Sequence, residues 1–183
     1  MRGSPGLLLP ALALTLGTIV VPPPASASDA PAARPFAISG TPFTGVIPAG
    51  FAAHPTRGGT LLLEGTEGDV RQASVELQVT PKATAPPTID ALAGMIQAYM
   101  ATHAGARVDA PRRSSAGRAE ARVITGSYRV SAADGEANLR QMTIVLEYPD
   151  YFVVFNYYNR AEYFDRHLPL VKQIVEGFEY RGR

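Results

Sequence analysis

The chain has 183 residues, 46% of them hydrophobic and 18% charged, with no cysteine and no tryptophan. Seventeen basic against sixteen acidic residues leave a formal charge of +1, which argues against a nucleic-acid binder, because such domains carry a marked basic excess. The missing cysteine excludes disulfides, thiolate metal ligands, thiol nucleophiles and a bacterial lipid-anchor cysteine, and the apolar content excludes wholesale disorder.

The chain opens with Arg2 and then an apolar run over residues 7–21. Pro22-Pro23-Pro24 follows, and Ala25 and Ala27 form an A-x-A pattern. A charged start, a short apolar segment and a small-residue site predict a signal peptide at 1–27. An uncleaved membrane anchor is the alternative. The run has 15 residues and contains Pro10, whereas a span needs about 20. No membrane span is expected after cleavage. Residues 28–35 lack large apolar side chains and read as a flexible leader. One domain is expected over 36–181.

Phe36, Ile38, Phe43, Val46 and Ile47 suggest short strands ending at Pro48-Ala49-Gly50. Leu61, Leu62 and Leu63 form a short apolar run between glycines and suit a buried strand, with a turn at Gly68-Asp69. Val75, Leu77 and Val79 alternate with Glu76 and Gln78, the period of a half-buried strand. The period then changes. Ile89, Leu92, Met95, Ile96, Tyr99 and Met100 form one helical stripe. Thr88 is a natural N-cap, Asp90 sits in the first turn, and Gly105 ends a helix predicted over 89–103.

Residues 105–118 read as a solvated basic connector. Three hairpin strands are expected next, with turns at Asp134-Gly135 and Pro149-Asp150. In the second, Met142, Ile144, Leu146 and Tyr148 share a face opposite Gln141, Thr143, Val145 and Glu147. In the third, Val153, Phe155 and Tyr157 are assigned to the core, because the other face holds Asn156. That strand is apolar on both faces and needs cover on both. Phe164, Leu168, Val171, Ile174, Val175 and Phe178 predict a last helix, with Pro169 placing its regular part from Leu168 to Gly177. The order predicts an α+β domain: a mainly antiparallel sheet with two packed helices.

Chemistry is sparse. His54, His103 and His167 show no H-E-x-x-H or H-x-H spacing and read as surface or cap histidines. G-x-S-x-G and S-x-x-K are absent, as is a phosphate-binding glycine loop. No catalytic, cofactor-binding or metal-ligating residue is therefore nominated. Two features suit a partner. Arg112, Arg113 and Arg118 lie in the connector, beside Arg107 and Arg122, and arginine is suited to anionic groups. Phe152, Tyr158 and Tyr163 belong to a dense aromatic group and are expected to form an exposed patch.

Three segments resemble the PsbP/DcrB-like superfamily. Phe43-Thr44-Gly45-Val46-Ile47-Pro48-Ala49-Gly50-Phe51 resembles its opening strand and hydrophobic-Pro-x-Gly-aromatic turn. Val123-Ile124-Thr125-Gly126-Ser127-Tyr128-Arg129 is similar to its central strand, and Ile174-Val175-Glu176-Gly177-Phe178-Glu179-Tyr180 to its closing helix and final strand. The resemblance implies an α/β/α sandwich and extracytoplasmic, mostly non-enzymatic roles. The lipoprotein cysteine is missing, and no metal-ligand or photosystem-docking motif of PsbP is matched, so oxygen evolution does not carry over. The sequence thus reads as an exported, non-enzymatic binding or assembly domain for a protein or envelope component. The alternatives are a carrier for a small apolar ligand and an extracytoplasmic hydrolase.

Overall fold

The computed structural model describes residues 33–55, 60–65, 73–132 and 135–182. The expected signal peptide, the leader up to residue 32, and the turn residues 58–59, 68–69 and Asp134 lie outside the described residues. The strands are β1 (Arg34–Ala37), β2 (Phe43–Ile47), β3 (Phe51–Pro55), β4 (Thr60–Gly65), β5 (Ser74–Pro81), β6 (Arg107–Val108), β7 (Arg112–Ala116), β8 (Ala119–Ala132), β9 (Gly135–Glu147), β10 (Tyr151–Arg160) and β11 (Glu179–Tyr180). Helix α1 (Ile89–Met100) separates β5 from β6, and α2 (Phe164–Glu176) separates β10 from β11. No described helix is long and apolar enough to cross a membrane.

The main sheet runs β3-β4-β5-β10-β9-β8-β6, with β7 also on β8, and every pairing is antiparallel. Its spine is the β8–β9 hairpin, paired from Glu120↔Glu147 to Ala132↔Gly135. A small second sheet, β1-β2-β11, holds both ends of the domain. Arg34 and Pro35 pair with Ile47 and Val46, so the sheet reaches two residues into the expected leader.

The period of two decides the layers. One face of the main sheet, with Leu63, Leu77, Leu146, Val153, Phe155 and Tyr157, packs against α2 and the small sheet. The other, with Ile124, Val145, Phe152 and Val154, packs against Ile89, Ala93 and Met100 of α1. β10 is therefore buried on both faces, and assigning only Val153, Phe155 and Tyr157 to the core is corrected. The polar-looking face of β9 is likewise covered, with Gln141, Thr143 and Val145 all buried beneath the α1 layer.

Two boundaries differ from expectation. The regular part of α2 begins at Phe164 rather than Leu168, with Pro169 inside it. Proline at that position removes only the bond to the Asp165 carbonyl. The first turn is fixed from below: the Tyr157 hydroxyl donates to the Phe164 carbonyl at 2.9 Å, and the two rings lie 4.7 Å apart. The basic connector carries β6 and β7, because backbone pairing to β8 does not require apolar side chains.

Candidate functional site

Helix α1 is fixed at its start by two polar devices. The Thr88 hydroxyl caps it, accepting from the Ala91 N–H at 3.1 Å. One turn in, Asp90 receives a two-point contact from Arg122 of β8: Nε donates to Oδ1 at 2.5 Å and Nη2 to Oδ2 at 3.1 Å. Arg122 Nη1 also donates to Glu120 Oε1 at 2.8 Å and to the Ala121 carbonyl at 3.0 Å. Arg122 is only 3% exposed, so these bonds satisfy a cation withdrawn from water. The hydrogen bonds push the guanidinium further up from its ordinary value, Asp90 contributing most and Glu120 next.

The same hydrogen bond holds the Asp90 carboxyl below its ordinary 3.8, against a smaller opposing effect of burial. Folding lowers this pKa, so the contribution is present above 3.8 and is lost as pH falls through the lower folded value. Asp90→Asn should unfold at lower denaturant than the parent at neutral pH, and the gap should close below 3.8. A gap unchanged into acid would break this assignment.

With α1 docked through Ile89, Ala93 and Met100, Met95 and Tyr99 turn outward. They lie one turn apart, Tyr99 about 100° and Met95 about 140° round the helix from the buried stripe. They are 52% and 47% exposed, so their assignment to the apolar stripe is corrected. Tyr99 meets His103 edge-on at 5.3 Å, and His103 stacks on Tyr128 at 4.4 Å.

From Tyr128 a polar floor crosses three strands. Register places Gln141 between Gly126 and Tyr158, and Thr143 between Ile124 and Asn156. The Tyr128 hydroxyl donates to Gln141 Oε1 at 3.0 Å, and Gln141 Nε2 donates to Thr143 Oγ1 at 3.0 Å. Thr143 Oγ1 donates to Asn156 Oδ1 at 2.7 Å. Burial pushes the Tyr128 phenol up to about 12, with Tyr99 adding to the shift. Burial also raises Tyr158, reinforced by Glu76, Tyr128 and Tyr99. These phenols stay protonated near neutrality, and Tyr128 acts as a neutral donor. The result is a shelf along α1: Met95 and Tyr99 exposed on the helix, ring contacts running from Tyr99 through His103 to Tyr128, and the bonded polar layer buried beneath.

The residues nominated from sequence do not converge. Arg112 and Arg113 are exposed on β7, opposite Val123 and Arg122, and Arg118 is exposed in the turn before β8. Phe152 is fully buried in the α1 core with Lys82 Nζ 5.2 Å from its ring centroid, so its place in an exposed patch is corrected. Tyr163 precedes α2 on the opposite layer, under the Arg166 guanidinium at 5.6 Å. Tyr158 alone of the six belongs to the shelf. Met95, Tyr99, His103, Tyr128 and Gln141 were missed. For the first two the sequence signal is the four-residue spacing of Met95 and Tyr99, one side of α1, with His103 four residues on and just past its end.

The histidines also separate. His54 is exposed, 3.5 Å from Glu64. His103 sits past the end of α1, and His167, expected as a surface or cap histidine, is buried with Nδ1 2.9 Å from Asn159 Nδ2. Among the described residues no three His, Asp or Glu side chains are grouped to hold a metal.

One helix over a twisted antiparallel sheet, backed by a second helix and a small sheet, defines an α/β/α sandwich. The chain has the PsbP/DcrB-like fold. No family model matches the sequence, and no curated protein matches it. Solved structures do match. CyanoP, the cyanobacterial PsbP of Synechocystis, aligns at 9% identity and TM-score 0.56, covering 87% of this chain and 98% of that one. LpqN of Mycobacterium tuberculosis, involved in cell envelope biogenesis, aligns at 12% identity and TM-score 0.56, covering 82% and 92%. The Ran-binding protein Mog1p of Saccharomyces cerevisiae aligns at 9% identity and TM-score 0.55, covering 81% and 95%.

Proposed function

We propose that the protein is an exported, non-enzymatic binding or assembly module that engages a protein partner through the shelf along α1. The observation that carries this reading is the exposure of Met95 and Tyr99 above a floor whose polar groups are already bonded to one another. Large apolar side chains at the rim of a rigid surface are what a partner buries. Protonated phenols and bonded amides favour recognition over acid–base chemistry. The Ran-binding Mog1p and the envelope-biogenesis protein LpqN lend the fold a binding or assembly context. The charged start, apolar run and A-x-A site support export. A carrier holding an apolar ligand between helix and sheet is less well supported, because Ala93, Met100, Ile124, Val145 and Phe152 fill that interface.

The test places a photo-crosslinking side chain at Tyr99, and separately at Tyr163, in the full chain expressed in its native host. A discrete adduct is expected from position 99 and not from 163, and Met95→Asp should abolish it. Adducts indifferent to position and to Met95, or none from position 99, would defeat the proposal.

A further inference from the structure

On the face of the main sheet away from the shelf, β6, β8 and β9 bring three arginines together. Arg107 pairs with Ser127, and Ser127 with Arg140, so the three form one row across the sheet. Arg129 and Asn138 pair two residues further on and share that face. The five line a groove of about 430 Å³.

Arg140 is held in place by its side chain and Arg129 by its backbone. Arg140 lies 4.3 Å over the Phe164 ring and bonds Asp165 at 2.8 Å. The Arg129 N–H donates to the Ala104 carbonyl at 3.0 Å, fixing the loop after α1 against β8. Gly105 in that loop has φ +65°, and a Cβ there would sit 3.0 Å from Arg129 Nε. Only glycine lets the loop lie this close without displacing the guanidinium.

The charge does not balance. Glu136 lies 3.6 Å from Arg129 and Asp165 faces Arg140, yet both carboxylates are more than 70% exposed. Arg107 has no acidic partner among the described residues. Exposed ion pairs are weak and yield readily to a better ligand. A phosphate group offers oxygens to guanidinium forks in two-point bonds and to the neutral Ser127 hydroxyl and Asn138 amide.

We propose that this groove binds a phosphate-class oxyanion, with Arg107, Arg129 and Arg140 as the charged contacts. The site is separate from the α1 shelf and does not rest on the partner reading.

Calorimetric titration of the full chain with inorganic phosphate at low ionic strength tests it, beside co-sedimentation with phosphatidylglycerol and phosphatidylcholine vesicles. Parent protein, Arg107→Gln, Arg129→Gln and Arg34→Gln are compared. The last removes one charge on β1, outside the groove, and melting curves confirm that each variant folds. Saturable binding is expected, weakened about tenfold in the groove variants and unchanged in Arg34→Gln. Phosphate binding without vesicle binding would uphold the site for a soluble phosphate. Binding to phosphatidylglycerol vesicles alone, with the same Arg107 dependence, would uphold it for a lipid headgroup. Equal weakening in Arg34→Gln, or no saturable binding of either probe, would overturn it.

Discussion

Replacing Phe43 by alanine is expected to destabilise the domain by about 3–5 kcal/mol, read as a fall in the denaturation midpoint. Phe43 is 1% exposed on β2 and joins the small sheet to the ends of β9 and β10. Its ring stacks on Phe178 at 5.1 Å and meets Tyr148 and Tyr151 edge-on at 5.0 and 5.5 Å, with Tyr180 at 5.2 Å. Those partners come from the ends of β9 and β10 and from the segment after α2. Truncation removes aromatic contacts on all sides, and no neighbour is placed to fill the space without moving a strand. Val46→Ala, outward on the same strand, should shift stability by no more than about 0.5 kcal/mol. Similar effects from the two variants would mean that Phe43 does not join the layers.

Gly126→Val should destabilise by about 1–3 kcal/mol and disturb both proposed surfaces together. A Cβ on Gly126 would lie 2.8 Å from Met100 Cε and 3.2 Å from the Arg107 carbonyl oxygen. Met100 is fully buried, so its side chain cannot yield alone, and the Arg107 carbonyl can move only with the backbone of β6. A valine therefore lifts the last turn of α1, which carries Tyr99, and shifts β6, which carries Arg107. Crosslinking from position 99 and phosphate binding should both weaken, and Gly126→Ala should show a smaller form of the same effects. Unchanged stability in Gly126→Val would show that α1 and β6 are not seated on this position.

Alternation made β9 and β10 legible, and Thr88 with the spacing after it made α1 legible, because these patterns arise from local geometry. Alternation gives two faces but does not say what covers each. Gln141 and Thr143 look like a solvent face and are buried because α1 crosses them. Phe152 and Tyr158 share a face of one strand, but Phe152 lies level with the first turn of α1 and Tyr158 level with the last. Met95 and Tyr99 fell inside the apolar stripe because counting apolar positions does not measure the width the sheet covers. β7 left no pattern, since Arg112, Arg113, Ser114 and Ser115 are all exposed and the strand is held by backbone pairing, with only Ala116 packed on the core. The arginine groove was illegible for another reason: Arg107, Arg129 and Arg140 meet only through strand register.

The β1-β2-β11 sheet gathers the first and last described strands on one neighbour. Arg34 pairs with Ile47 and Tyr180 with Phe43, at the two ends of a five-residue strand about 16 Å long. A short linker could join them, and the domain should tolerate circular permutation, with new ends opened at the β8–β9 turn. It also follows that a tether attached at either end pulls from the layer opposite α1, leaving the shelf turned away from the point of attachment.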